Sequence, residues 1–253
     1  MIDRNRRRQF GQNYLKDPAI LFEMGEAINA SRNENIFEIG PGMGALTRVI
    51  NKDDVEIIAM DIDPKNIDYL QKNLQRIKSV NLICDDIMKA DLGFLSAGRY
   101  RVIGNLPYNI STQIIIRLLE FNQHIKDMHF LVQKEVAEKI CGSASSKNWG
   151  KLSIKIGLFF NAQKLFDVPP ESFDIRPKVN SSFIRLTPVV DSKMCTSFTS
   201  THMLKFVIAN WKSMIMRSFS STHDRGFLVF ELMPIRSSDL WCILTSFGVA
   251  WFP

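Results

Sequence analysis

Short apolar stretches alternate with amphipathic stretches along most of this chain. Clusters of β-branched and other apolar residues predict strands at 35–39, 55–60, 80–84, 101–103 and 128–132. Between them, the spacing of apolar residues predicts helices at 18–29, 45–50, 64–77 and 113–121, and another helix directly after the fifth strand. Two of these helices are predicted to start at an Asp-Pro pair, Asp17-Pro18 and Asp63-Pro64, in which the aspartate is the N-cap. Strands that alternate with helices are typical of a parallel sheet covered on both faces. The pattern therefore predicts an α/β fold with a doubly wound sheet.

The pattern changes in the last third of the chain. A helix at 151–160 and two strands at 164–168 and 182–186 would complete the sheet domain. After a short linker, helical patterns at 202–219 and 237–247 predict a small α-helical domain. The chain is thus predicted to have an N-terminal arm, a main domain and a helical domain, at residues 1–17, 18–188 and 189–253.

The composition is that of an ordinary folded protein, with 45% apolar and 23% charged residues. No run of about 18 apolar residues is present, which argues against a membrane span, and the start lacks the apolar core of a secretory signal. His129 lies within a predicted strand and is interpreted as a packed core or edge histidine. The cysteines show no metal-ligand spacing and are typical of a reducing compartment: Cys84, Cys141, Cys195 and Cys242. A cytoplasmic protein without a bound metal and without a membrane partner is predicted.

Positive charge is concentrated at the N-terminus. Residues 1–8, called the basic arm below, contribute half of the net charge of +6. Its cations are Arg4, Arg6, Arg7 and Arg8. Such an arm is suited to bind a polyanion such as RNA, and the alternative is a solvated tail that only aids solubility.

A glycine-rich loop and several acidic residues follow the first three predicted strands. The loop at 38–44 contains three glycines, where the lack of side chains lets the backbone approach a ligand closely. Asp61 follows the second strand, where nucleotide-binding sheets place the carboxylate that binds ribose hydroxyls. Asp85 and Asp86 follow the third strand, and spacing alone does not decide which would accept from an adenine amine. Because no lysine forms a phosphate-binding loop, this set favours S-adenosylmethionine over NAD or ATP.

The loop at 104–112, after the fourth strand, has the most informative chemistry. An adenine N6 amine is a poor nucleophile, so a site that methylates it needs two acceptors for the amino hydrogens. The side-chain oxygen of Asn105 and the carbonyl of Leu106 could be this pair, and the Tyr108 ring could stack on a flipped base. The alternative is a strand-to-helix turn in which Asn and Pro serve only the turn.

Five segments, taken together and in this order, resemble the small-subunit ribosomal RNA adenine dimethyltransferases. They are residues 8–15, 38–42, 104–112, 128–136 and 168–173. The resemblance implies a Rossmann-like, seven-strand S-adenosylmethionine-dependent methyltransferase sheet with an antiparallel last hairpin and a small α-helical C-terminal domain. It also implies the reaction, which is conversion of two adjacent adenosines near the 3′ end of small-subunit rRNA to N6,N6-dimethyladenosine.

The resemblance further implies roles for individual residues. Asn105 would also face the target amine, and Tyr108 and Phe173 would stack on the base. Of the two neighbouring acids, Asp86 is favoured over Asp85. The partner would be rRNA within an immature small subunit, the enzyme would be a monomer, and the product would be S-adenosylhomocysteine. The S-adenosylmethionine pocket would be lined by Asn13, Leu15, Gly40, Asp61, Asp86 and Asn105.

The chain departs from the family at two places. The family more often has glutamate where this chain has Asp61, which keeps the acceptor but shortens it by one methylene. Residues 210–217 lack the family's usual basic cluster, and the chain ends soon after Trp251. The second departure concerns the rRNA contacts of the helical domain and leaves the catalytic residues unaffected.

Two other functions compete with this interpretation. A large-subunit rRNA adenine methylase of the antibiotic-resistance type shares the fold and a similar Asn-Leu-Pro-Tyr loop. Residues 109–112 and 168–173 favour the small-subunit enzyme. A ribosome-assembly or transcription factor could keep the fold without turnover, but the intact Gly40, Asp61 and Asn105 argue against lost catalysis.

Overall fold

A computed structural model of the chain describes residues 13–51, 55–74, 79–143 and 146–189. Within these residues, seven strands form one sheet in the order β3-β2-β1-β4-β5-β7-β6. The strands are β1 (Asn35–Ile39), β2 (Glu56–Asp61), β3 (Val80–Cys84), β4 (Tyr100–Asn105), β5 (Ile125–Gln133), β6 (Phe160–Val168) and β7 (Ser181–Pro188). The basic arm and the predicted helical domain lie outside the described residues.

Strands β1 to β5 are parallel, whereas β7 is antiparallel to β5 and β6 is antiparallel to β7. The predicted sheet with its antiparallel last hairpin is therefore confirmed. After β1, the chain forms β2 and β3 on one side of β1 and then crosses to form β4 on the other side. Ligands of open α/β sheets bind at such a switch point, outside the carboxyl ends of the strands.

The described residues contain six α-helices, of which the first precedes β1 and the others lie between strands: α1 (Pro18–Ile28), α2 (Ala45–Ile50), α3 (Pro64–Asn73), α4 (Ser111–Leu118), α5 (Lys134–Ile140) and α6 (Lys151–Gly157). The two predicted Asp-Pro helix starts are confirmed. Asp17 accepts a hydrogen bond from the Ala19 backbone at 3.0 Å, and Asp63 accepts one from Lys65 at 3.0 Å. In both helices a proline follows the cap, where its missing N–H costs no hydrogen bond.

The helix predicted at 151–160 is too long by one turn. It ends at Gly157, and Phe160 instead begins β6 with its side chain fully buried. The cause is tertiary, because Phe160 pairs with Pro188 of β7, 28 residues further along the chain. Local apolar spacing does not contain this information.

Apolar side chains cover both faces of the sheet, as is usual for a parallel sheet. Phe37 and Val102 point into one core cluster, and their neighbours Ile36 and Ile103 point into the other. At the amino edge of the sheet, Arg101 forms a two-pronged ion pair with Asp127, at 2.9 and 2.8 Å. Burial alone would raise the pKa of Asp127, but hydrogen bonds to His129 and Arg101 lower it to about 2. His129 is fully buried, so its assignment to the core is confirmed.

Candidate active site

The glycine-rich loop follows β1 at the carboxyl edge of the sheet. Gly40, Gly42 and Gly44 have φ angles of +67°, +56° and +76°, a region that side chains with a Cβ rarely adopt. A Cβ placed on Gly40 would make an ordinary van der Waals contact with the Asn105 carbonyl oxygen, 3.8 Å away. The loop therefore forms a backbone cradle that faces the end of β4.

Gly104 fixes the spacing between this loop and the loop after β4. A Cβ at Gly104 would lie 2.4 Å from the Ile39 carbonyl oxygen, which is a backbone atom and does not move aside easily. Only glycine therefore allows β4 to approach the end of β1 this closely. The close approach brings Asn105 next to the cradle.

Asp61 ends β2 and is almost fully buried, with 4% of its surface exposed. Its Oδ2 accepts hydrogen bonds from the Gly42 N–H at 3.1 Å and from Asn66 Nδ2 at 2.9 Å. Its Oδ1 accepts from the Asp63 N–H at 2.8 Å. Burial raises the pKa of Asp61, while these three hydrogen bonds oppose the rise. The carboxylate therefore holds the glycine loop in place, a role that strand-end position alone did not predict.

Asn66 and Tyr14 extend this network towards the N-terminal segment. Asn66 is buried, and its Oδ1 accepts a hydrogen bond from the Tyr14 hydroxyl at 2.9 Å. The Tyr14 ring also packs on the loop, since a Cβ at Gly42 would lie 2.8 Å from ring atom Cε1. Sequence patterns do not indicate Asn66, because its contact with Tyr14 spans 52 residues of chain.

Asp85 and Asp86 follow β3 at the same edge. Asp85 is exposed and accepts a hydrogen bond from the Asp86 N–H at 2.7 Å. Asp86 is half-buried and accepts from the Met88 N–H at 2.9 Å. Arg117 of α4 donates to the backbone carbonyls of Ile87 and Ala90 and so holds this turn. Asp86 is therefore the more buried of the two acids, and Arg117 holds the turn in which it lies.

Asn105 is the last residue of β4 and lies beside the N-terminal segment. Its Nδ2 donates a hydrogen bond to the Asn13 carbonyl at 2.6 Å. Because a carbonyl oxygen can only accept, this contact fixes the orientation of the amide and leaves Oδ1 as an acceptor. Leu106 follows, with its N–H bonded to the Leu131 carbonyl at 3.1 Å. The structure therefore places Asn13 next to Asn105 and Leu106.

Tyr108 is half-buried, and its hydroxyl is hydrogen-bonded to the hydroxyl of Ser181. Burial raises the pKa of Tyr108, so it stays a neutral phenol over the physiological range. Ser181 is the first residue of β7 and is fully buried. The sequence did not indicate Ser181, whose contact with Tyr108 spans 73 residues of chain.

Phe173 does not lie where the stacking prediction needs it. Its side chain is fully buried in the core cluster beneath the site, and its backbone pairs with Leu15 in an isolated β-bridge. The ring therefore has no surface on which a base could stack in this conformation. The segment at 168–173 instead binds the N-terminal segment that contains Leu15. The Lys16 N–H donates a hydrogen bond to the Ser172 carbonyl at 2.9 Å.

Glu38 is a further charged group that sequence reasoning left without a role. It lies in β1 just before the glycine loop, is 1% exposed, and its Oε2 has no hydrogen-bond partner among the described residues. Burial raises the pKa of Glu38 to about 7, and the nearby charge of Asp61 contributes to the rise.

No group of three or more His, Cys, Asp or Glu side chains among the described residues is arranged to hold a metal ion. Among the described helices, none has the length and apolar character needed to cross a membrane. The basic arm, predicted to bind RNA, lies outside the part of the chain that the structure describes.

The antiparallel β7, inserted between β5 and β6, distinguishes this sheet from the all-parallel dinucleotide-binding form of the doubly wound fold. The loop after β4 also presents an oriented amide acceptor beside a glycine cradle. Fold and site together define the class, which is that of the S-adenosylmethionine-dependent methyltransferases. A sequence model of the family described as ribosomal RNA adenine dimethylase matches residues 3–222. The chain belongs to this family.

Individual relatives agree with this assignment. A ribosomal RNA small subunit methyltransferase A from Legionella pneumophila (strain Corby) is 40% identical over 219 residues, which cover 86% of this chain and 83% of the relative. The protein of the same name from Methylococcus capsulatus is 39% identical and covers 72% of this chain and 71% of its own length.

Solved structures show the same fold. A dimethyladenosine transferase from Plasmodium falciparum superposes with a TM-score of 0.66 at 25% identity, covering 77% of this chain and 70% of its own. The 23S rRNA methyltransferase ErmE superposes with a TM-score of 0.65 at 22% identity, covering 84% and 81%. The second likeness is one of fold alone.

Proposed function

We propose that this chain methylates N6 of two adjacent adenosines near the 3′ end of small-subunit ribosomal RNA and produces N6,N6-dimethyladenosine. The observation that carries the proposal is the orientation of the Asn105 amide. Its nitrogen is bound to the Asn13 carbonyl at 2.6 Å, so its oxygen is available to a substrate amine. The names of the relatives, which are small-subunit methyltransferases, support the choice of RNA.

Two acceptors at the end of β4 would activate the target. The Asn105 Oδ1 and the Leu106 carbonyl would each accept one N6 hydrogen, which lets the nitrogen move towards tetrahedral geometry as it attacks. Such preorganised acceptors act where charge develops in the transition state. The Tyr108 ring, held through Ser181, would stack on the flipped adenine. A general base before the attack is unnecessary, because the N6 proton becomes acidic once the methyl group has arrived.

The pocket fits S-adenosylmethionine. Gly40 carries no Cβ and lies beside the Asn105 carbonyl oxygen, so a ligand can approach the backbone of the loop closely. When bound, the sulfonium supplies an electrophilic methyl group, so we propose transfer without a metal. Asp86 would accept from the adenine amine of the cofactor, and Asn13 and Leu15 would line its other side.

Asp61 would contribute to ribose binding mainly through the loop it holds. Both of its oxygens already accept hydrogen bonds from the chain, at 2.8–3.1 Å. Oδ2 already accepts two of these bonds and Oδ1 accepts one, so a second bond to Oδ1 can still bind one ribose hydroxyl. Loss of Asp61 would remove both the ribose contact and the hydrogen bond that holds the Gly42 N–H.

We further propose that the enzyme is a cytoplasmic monomer that acts on rRNA within an immature small subunit. The basic arm would bind the RNA backbone at the mouth of the site, since it directly precedes the segment that contains Asn13. The arginines concerned are Arg4, Arg6, Arg7 and Arg8.

Methyl transfer from labelled S-adenosylmethionine tests the proposal. Immature small subunits should accept label, and naked large-subunit rRNA should not. Label in the large-subunit RNA alone would instead assign the chain to the large-subunit methylases. Tight binding of small subunits without any transfer would indicate an assembly factor.

A further inference from the structure

A cavity of about 360 Å³ opens beside the proposed active site, where β5 ends and β7 begins. Because β4 and β5 are parallel, this place lies at the same edge of the sheet as Asn105. The cavity is lined by the last residue of β5, the first turn of α5 and the segment before β7. The lining includes Gln133, Lys134, Glu135, Lys178, Val179 and Asn180. The proposed mechanism uses none of these side chains.

The cavity is connected to the catalytic loop by short, well-defined contacts. Gln133 pairs with Ser181 in the sheet, and the Ser181 hydroxyl bonds the hydroxyl of Tyr108. The Lys134 N–H donates to the Asn180 carbonyl at 3.0 Å, which ties the two walls together. A nucleotide in the cavity would therefore lie within one residue of the contact that holds Tyr108.

The charges around the cavity favour one position for a phosphate. Lys134 is paired with Asp167 at 2.7 Å, and Glu135 is paired with Lys139 at 2.6 Å. Lys178 is exposed and forms no ion pair with any residue that the structure describes. Its ammonium group is thus the available cation of the lining.

The remaining lining suits a nucleobase. Gln133 and Asn180 carry amides, which offer a donor and an acceptor to the edge of a base. Val179 is an exposed apolar residue, with 44% of its surface accessible, and provides a surface for a ring. Ligand pockets usually measure roughly 300–1,000 Å³, so this volume is sufficient for one nucleotide and too small for a duplex.

We infer that this cavity binds the nucleotide adjacent to the target adenosine in the RNA strand, with its base against Val179 and its phosphate at Lys178. The inference rests on the proposed function, in which two adjacent adenosines react. While one base lies at Asn105, its neighbour must be held without blocking the site. The cavity provides this place next to Tyr108.

Substitutions in the full-length chain test the inference. Lys178→Ala and Asn180→Ala should each raise the KM for small-subunit RNA by roughly tenfold, the effect of one lost polar contact. Both should keep the kcat and the affinity for S-adenosylmethionine. Lys178→Ala should also reduce the dependence of log KM on log salt by about 0.7, as expected for one phosphate contact to a single strand, whereas Asn180→Ala should not.

Lys72→Ala is the matched control, because Lys72 is an exposed lysine in the last turn of α3, a helix that begins at the site edge and runs away from it. It should leave the KM unchanged.

As a second probe, the dinucleotide ApA should inhibit the parent more strongly than adenosine does, and Asn180→Ala should abolish this advantage. Unchanged KM values and an unchanged ApA advantage in both variants would overturn the inference. Failure of the parent itself to methylate RNA would instead contradict the proposed function.

Discussion

Glu38 offers a quantitative test of the electrostatics beneath the glycine loop. Its carboxyl is buried and lacks a hydrogen-bond partner for Oε2 among the described residues, and burial raises its pKa from 4.5 to about 7. In the unfolded chain the same group is in water and ionises at its ordinary pKa. Between these two pKa values the folded state retains a proton that the unfolded state has lost.

The sign of the effect follows from proton binding. Stability falls as pH rises wherever the unfolded state binds fewer protons than the folded state. Glu38 should therefore lower the free energy of unfolding between pH 4.5 and about 7, with no further change above that range. The difference of about 2.5 pH units corresponds to about 3 kcal/mol, at roughly 1.36 kcal/mol per unit.

The variant Glu38→Gln removes the titration and nearly keeps the shape of the side chain. Urea unfolding at pH 5, 6, 7 and 8 should show that the stability of the variant relative to the parent increases by about 2.5 kcal/mol from the lowest to the highest pH, because the unfolded carboxyl is already partly ionised at pH 5. Glu56→Gln, at an exposed position of β2, is the control and should show no such trend. A pH-independent difference between Glu38→Gln and the parent would refute the reasoning.

Three further predictions concern the cofactor, the scaffold and the RNA. Asp61→Ala should weaken S-adenosylmethionine binding by about 1.5–3 kcal/mol in calorimetric titration, and equal affinities would assign the ribose role elsewhere. Asp127→Ala should lower the free energy of unfolding by about 1.5–3 kcal/mol in urea, because buried Arg101 loses its two-pronged partner and keeps only the Glu34 carboxylate at 3.0 Å as an ion-pair partner among the described residues, and a loss below about 1 kcal/mol would contradict this. Replacing all four arginines of the basic arm with alanine should reduce the slope of log K for RNA against log salt by up to about 3, whereas equal slopes would identify a solvated tail.

The order of strands and helices could be predicted because it depends on local patterns. Both Asp-Pro helix starts were predicted correctly, since a cap and the proline after it act within one turn. The end of the helix at Gly157 could not be predicted in this way, because β6 begins where β7 offers hydrogen-bond partners. The antiparallel hairpin came from the resemblance to the family and not from periodicity.

The candidate site could be predicted in its residue types but not in its supporting contacts. Strand-end positions indicated Asp61 and Asn105, because parallel strands place their carboxyl ends at one edge. The contacts of Asn66 with Tyr14 and of Ser181 with Tyr108 join segments 52 and 73 residues apart, so spacing does not reveal them. Phe173 was predicted to stack on the base, yet the fold buries its ring, since a motif shows residue identity and not exposure.

The central claim is that Asn105 presents an acceptor to the N6 amine of adenosine in small-subunit rRNA. Its most direct test is single-turnover methylation of immature small subunits by the parent and by Asn105→Ala, with the product nucleosides identified by mass spectrometry. The parent should yield N6,N6-dimethyladenosine. Asn105→Ala should react about 10²–10³-fold more slowly, the usual cost of one preorganised polar partner, while still binding S-adenosylmethionine. A near-parental rate for Asn105→Ala, or a methylated nucleoside other than an N6-methylated adenosine from the parent, would contradict the claim.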